Sequence, residues 1–141
     1  MVKTRQWILA EKPDDLPKLE GSNPTFKLQE TELPDLKDDE VLIKATYLSN
    51  DPAQRGWINK FINPERLYVP PVQDDEVMRA RGLCEVVESK SSHYKKGDAC
   101  MASIGWAEYG KSSWEKPCCF SKTSLGLPPP RVVLVSDRQS A

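Results

Sequence analysis

The segment Glu40–Ser49, EVLIKATYLS, constrains the fold more than any other stretch of the chain. Val41, Ile43, Ala45 and Tyr47 recur at every second position, the period of a strand with one face on a core, and β-branched and aromatic side chains suit that pleated surface. Similar short runs surround it. Val2–Ala10 ends in the apolar run WILA, and Thr25–Leu33 places Phe26, Leu28 and Leu33 in rough alternation. Gly82–Ser89 (GLCEVVES), Asp98–Ile104 (DACMASI) and the four residues WAEY at 106–109 read as further strands. Turn-forming stretches separate them: EKPDDLPKLEGSNP, the acidic PDLKDDE, and SSHYKKGD. Several short strands with turn signals between them predict a mainly β fold, a partly open antiparallel barrel with short helical turns. Asn50-Asp51-Pro52 opens one such turn, because an Asn or Asp cap satisfies orphan N–H groups and proline at the first helical position removes one.

The chain divides at about Gly110. Residues 1–110 carry 15 basic and 19 acidic side chains, whereas residues 111–141 carry five basic and two acidic ones, six serines, Cys118-Cys119 and a triple proline at 128–130. After Gly110 no period is sustained, Pro117 stops any helix early, and only RVVLVS at 131–136 is strand-like. The expectation is one β domain over 1–110 and an atypical, poorly ordered tail over 111–141.

Composition excludes several classes of function. The formal net charge is -1, which gives no field to attract nucleic acid or an anionic membrane. The N-terminal residues hold no long apolar run, so neither a secretory signal nor a transmembrane helix is expected, and the cytoplasm is the expected location. Cys84, Cys100, Cys118 and Cys119 have irregular spacing and His93 is the only histidine, so buried thiols are expected and a zinc site is not.

Three segments together resemble the NADP-dependent alkenal and leukotriene/prostaglandin reductases, a zinc-free branch of the medium-chain dehydrogenase/reductase superfamily. YLSNDPAQRGWI (47–58) is similar to the family element L-S-x-D-P-x-x-R. VMRARGLCEVVESKSSHYKKGD (77–98) is similar to its V-M-x-x-x-G-x-x-x-V-x-x-S strand and K-x-G-D turn, and GWAEYG (105–110) to its G-W-x-x-Y strand. The resemblance covers about residues 1–110. It implies a GroES-like substrate-side domain, which in the family packs on a Rossmann domain that binds NADP, with substrate in the cleft between them. The reaction it implies is hydride delivery from NADPH to the β-carbon of a conjugated enal or enone, with a proton added at the α-carbon. Lipid metabolism and secondary-metabolite (polyketide) assembly are the pathways implied.

Zinc-dependent relatives place a cysteine where this chain has Asp51, and Gly-His-Glu where it has Arg79-Ala80-Arg81, so no Lewis acid is expected. The candidate cleft residues are Tyr47, Asn50, Asp51, Pro52, Arg55, Trp106 and Tyr109. Asp51 and Arg55, at i and i+4, equally form a local ion pair and helix cap, and Tyr47, Trp106 and Tyr109 equally fit a core. The family often has an aromatic residue where Ala53 stands, which predicts a roomier pocket. The tyrosine credited in the family with polarising the carbonyl belongs to the cofactor domain.

The seven glycines, at 21, 56, 82, 97, 105, 110 and 126, form no G-x-G-x-x-G, and a dinucleotide site needs that turn inside a βαβ unit. The expectation is a truncated chain without its Rossmann domain: NADP is implied by resemblance, but its binding domain is missing. Two readings follow. One is a zinc-independent reductase acting on an enal or enone, alone or with a second copy or a full-length homologue. The other is a non-catalytic barrel that binds a partner. A third pattern competes: Gly105 to Ser112 satisfies G-x-x-x-x-G-K-[ST], although Trp106, Glu108 and Tyr109 suit a phosphate cradle poorly.

Overall fold

The computed structural model describes residues 1–113. The expected poor order of the tail, the strand at 131–136 and the helix stop at Pro117 lie outside them. The described residues form six strands and one short helix: β1 (Val2–Leu9), β2 (Phe26–Leu33), β3 (Glu40–Leu48), α1 (Pro52–Trp57), β4 (Gly82–Ser89), β5 (Ala99–Ala102) and β6 (Tyr109–Ser113). A single 3-10 turn, Pro64–Arg66, follows α1. All pairings are antiparallel. β1 and β2 form one sheet, and the other runs in the order β5-β4-β3-β6.

β1 holds the two sheets together through its second edge. Trp7 N–H donates to the Trp106 carbonyl at 2.8 Å, Glu108 N–H to Arg5 O at 3.0 Å, and Met78 N–H to Trp7 O at 3.0 Å. Isolated bridges Gln6↔Ala107 and Ile8↔Val77 mark the same seam. The sheets are thus laced without closing, the partly open GroES-like arrangement. The WAEY segment differs from expectation. Residues 106–108 meet β1 through these backbone bonds and the Arg5–Glu108 ion pair, and the last strand starts at Tyr109 and runs through Lys111 to Ser113 beside β3.

β3 also departs from strict alternation. Val41, Leu42 and Ile43 are all buried, whereas Tyr47 is 47% exposed. Register shifts against β4 between Leu42 and Ile43 and between Ala45 and Tyr47 account for this, since an extra residue in one strand turns the following side chains to the other face.

The core lies in two parts. Val41, Ile43, Cys84, Val86, Tyr94, Cys100 and Ala102 fill the larger sheet, with Ile104 against them. Leu9, Phe26, Ile58, Val72 and Met78, with Trp57 and Trp106, pack beneath α1. Cys84 and Cys100 stand opposite each other on β4 and β5 as free thiols. Burial pushes Cys84 up to about 11 and, joined by the neighbouring Cys84 and Asp98, pushes Cys100 up to about 12. Both stay protonated and act as small apolar fillers.

The turn into the WAEY segment demands glycine. Gly105 has φ +74°, and a Cβ there would stand 2.9 Å from the Met78 carbonyl oxygen. Gly105→Ala is therefore expected to cost about 1–3 kcal/mol, the usual penalty for a side chain held in a sparsely populated backbone region. Equilibrium urea unfolding checks it.

Acid should also weaken the fold. The Lys37 N–H and the Lys111 ammonium hold Glu40 below the usual carboxylate range, with Lys111 Nζ 3.0 Å from Glu40 Oε2. The Arg5 guanidinium does the same for Glu108. A carboxyl depressed on folding stabilises the native state above its unfolded value, and that stabilisation fades as pH falls through the folded value. Stability should be level from pH 7 to about 5.5 and decline below about 4.5. Glu40→Gln should flatten the decline in unfolding curves taken at stepped pH.

Candidate functional site

The helix α1 begins where β3 ends, and its first turn is tied down by Gln54. This amide is only 4% exposed, and every one of its polar positions is used. Its Oε1 accepts the Asp51 N–H at 3.1 Å, closing a capping box. Its Nε2 donates to Ser49 O at 3.3 Å and to Arg79 O at 3.0 Å. One side chain thus joins the end of β3, the head of α1 and the strand-like segment that leads into β4.

Two depressions flank this joint. The smaller, about 330 Å³, has an apolar floor of Phe26, Ile58, Met78 and Trp106, with Asn50, Asp51, Pro52 and Arg55 along its wall. The larger, about 800 Å³, shares Asp51 and Pro52 and continues through Ala53, Trp57, Tyr68, Val77, Arg79, Ala80, Arg81, Ile104 and Gly105. Five of the seven residues singled out from the sequence, Asn50, Asp51, Pro52, Arg55 and Trp106, therefore meet in the smaller depression. Tyr47 and Tyr109 line neither. Tyr47 stands exposed near the end of β3, and the Tyr109 ring lies under Lys44 Nζ at 5.8 Å, with its backbone N–H donating to Thr4 Oγ1 at 3.0 Å.

The local ion pair expected between Asp51 and Arg55 is not formed. Asp51 Oδ2 accepts the Ser49 hydroxyl at 2.8 Å, and Arg55 Nη2 donates to the Asp15 carbonyl. Two donors on α1, Arg55 Nη1 and Trp57 Nε1, are buried without a partner. Buried donors are nearly always satisfied, so these two require an explanation.

Arg79 is committed. Its guanidinium bonds Glu76 at 2.9 Å and also donates to the Pro70 carbonyl. Burial works to raise the Glu76 carboxyl, but the Gln73 N–H and Arg79 outweigh it and hold it low. Asp51 and the run Arg79-Ala80-Arg81 all line the larger depression. Among the described residues no three His, Cys, Asp or Glu side chains are grouped to hold a metal ion.

Nor do the described residues fit a dinucleotide. Their only α-helix is six residues long, and no parallel βαβ unit is present among them to aim a glycine-rich turn at a pyrophosphate. The P-loop pattern fails for a related reason. Gly110, Lys111 and Ser112 lie within β6 paired to β3, and Lys111 is held by Glu40, whereas a phosphate cradle requires those residues to open a helix.

Comparison with known proteins agrees with this architecture. Residues 5–118 match the family described as the N-terminal domain of oxidoreductase. A Saccharomyces cerevisiae protein named uncharacterized membrane protein YML131W is 37% identical over 82% of this chain and 32% of its own length. The NADPH-dependent curcumin reductase of Escherichia coli is 34% identical over 79% of this chain and 30% of its own. Bovine prostaglandin reductase 1 is 32% identical, over 82% and 31%. The crystal structure of CurA from Vibrio vulnificus superposes with a TM-score of 0.67 at 31% identity, over 77% of this chain and 30% of that one. The same protein in complex with NADPH gives 0.63 at 30% identity, with the same coverage.

The chain therefore belongs to the oxidoreductase N-terminal domain family, within the medium-chain reductases that include the curcumin and prostaglandin reductases. It spans about a third of the length of these relatives. No helix among the described residues is long and apolar enough to cross a membrane.

Gln54 is the functional residue that residue-by-residue reading passed over. Its signal was present: Asp51-Pro52-Ala53-Gln54 has the cap-x-x-Gln spacing of a capping box. Gln54→Leu would strip partners from the Asp51 N–H and two carbonyls, and should cost about 2–4 kcal/mol. Gln29→Leu, which removes only an exposed bond to Gln6, should stay within about 0.5 kcal/mol. Chemical denaturation of both variants makes the comparison.

Proposed function

We propose that this chain forms the substrate side of an NADP-dependent reductase that acts on the conjugated double bond of enals or enones. The observation that carries the reading is the larger depression. It is lined by residues of α1 and of the 77–81 segment, which fall in two of the three segments that resemble this reductase branch, and its lining is mostly apolar. An alkenyl chain suits such a surface. The relatives named as NADPH-dependent curcumin reductase and as prostaglandin reductase support the reaction class. The part assigned to this chain is to place and shield the substrate, since the cofactor carries the chemistry in such enzymes.

Ala53 sets the room available. The side chain lines the larger depression at a position where the family often has an aromatic residue. trans-2-Nonenal should bind the 141-residue protein saturably, read by tryptophan fluorescence, and Ala53→Tyr should weaken that binding about tenfold, a modest loss of apolar contact. 2-Butenal should respond less than threefold to the same change. Nonenal-dependent oxidation of NADPH at 340 nm would extend the reading to catalysis by this chain. Nonenal binding without turnover or NADPH binding would support a substrate-side module. Absence of nonenal binding by a folded protein would overturn the proposal in favour of a non-catalytic barrel.

A further inference from the structure

The smaller depression is lined by a cation, Arg55, that has no ion-pair partner among the described residues. Its guanidinium donates to a backbone carbonyl, that of Asp15, and its Nη1 lies buried without a partner among the described residues. Every other arginine in an ion pair here, Arg5 with Glu108 and Arg79 with Glu76, meets its acid directly. Asp51 lines the same depression yet turns to the Ser49 hydroxyl. Leaving a donor of a charged group buried and unmet is costlier than leaving a neutral one, and a guanidinium fork matches the two oxygens of a carboxylate.

Phe26, Ile58, Met78 and Trp106 line the same depression. The Phe26 and Trp106 rings are stacked at a tilt, with centroids 4.9 Å apart, which makes a firm apolar floor. A cation and a set of apolar side chains lining about 330 Å³ define a chemical class. We infer that the smaller depression is a binding subsite for a small carboxylate with an apolar body, its oxygens taken by Arg55 and its body laid on Phe26 and Trp106. Binding turns the guanidinium so that Nη1 leaves the wall and meets a ligand oxygen, which removes the orphan. The subsite adjoins the larger depression, with Asp51 and Pro52 common to both, but its cation and its aromatic rings belong to the smaller one alone. The Asp51 carboxylate in the same wall opposes any anion, so Arg55 must dominate, and the test is arranged around that balance.

Benzoate and its neutral isostere benzamide are suitable probes for the full chain. Binding is followed by the Trp106 indole N–H in two-dimensional NMR, assigned from Trp106→Phe. Benzoate should shift that signal saturably, at least tenfold more tightly than benzamide. Arg55→Gln should abolish the preference and Arg55→Lys should retain part of it, with circular dichroism showing that both variants keep the wild-type fold. Should Arg55→Gln unfold, wild-type discrimination between the two probes still decides. Equal binding, a preference for benzamide, or no binding of either probe would overturn the inference. Displacement of benzoate by equimolar inorganic phosphate would overturn its apolar half, by showing that the floor adds nothing.

Discussion

β1 is the strand on which the rest of the molecule depends, because both of its edges are used. One edge pairs with β2 along Val2–Leu9, and on the other Arg5, Trp7 and Leu9 bond outward to the 75–78 and 106–108 segments. Without that second edge the β1–β2 pair would be a lone hairpin-like ribbon, which is marginal in water by itself. With it, the smaller core under α1 gains a wall from each sheet. Leu9 and Phe26 arrive from one sheet, Met78 and Trp106 from the segments that flank the other. The backbone bonds also fix where residues 77–81 and 104–106 lie, and those residues line both depressions.

Much of this was legible in the sequence. β4 was read at its observed bounds, and β1, β2, β3 and the start of α1 to within a residue or so, because each has turn residues or a proline marking its end. Three features were not. The bulges in β3 leave no local mark, so Tyr47 was read with Val41 and Ile43 although the structure turns it outward. The WAEY segment is apolar enough for a ladder strand, yet Gly105 and the pull of β1 spend its backbone bonds on isolated bridges instead. The polar run GKSS carries no strand signal at all, and its pairing with β3 is decided by the sheet edge that β3 presents.

The site was legible in the same uneven way. Asn50, Asp51, Pro52 and Arg55 lie next to one another in sequence, so a single local reading found them together, and the structure gathers them with Trp106. The local reading then paired Asp51 with Arg55 on helical spacing alone. That spacing brings side chains within reach only when neither has a better partner, and Ser49 and the Asp15 carbonyl both outbid it. Asp15 is 40 residues away in the chain, and no local pattern announces such a contact.

The joint at Gln54 explains why the wall beside it is free to vary in chemistry. The amide reaches only main-chain atoms: the Asp51 N–H, the Ser49 carbonyl and the Arg79 carbonyl. It therefore fixes the distance between the head of α1 and the 79–81 segment without using the side chains of Asp51, Arg79 or Arg81. Those side chains project from a frame already complete, so a change of side chain at Asp51 or in Arg79-Ala80-Arg81 alters the depression without dismantling it. Arg79 shows the consequence, since it has recruited Glu76 and the Pro70 carbonyl and become part of the rim. Arg55 has made no comparable bargain with an acid, and that difference marks it as the side chain left to meet a ligand.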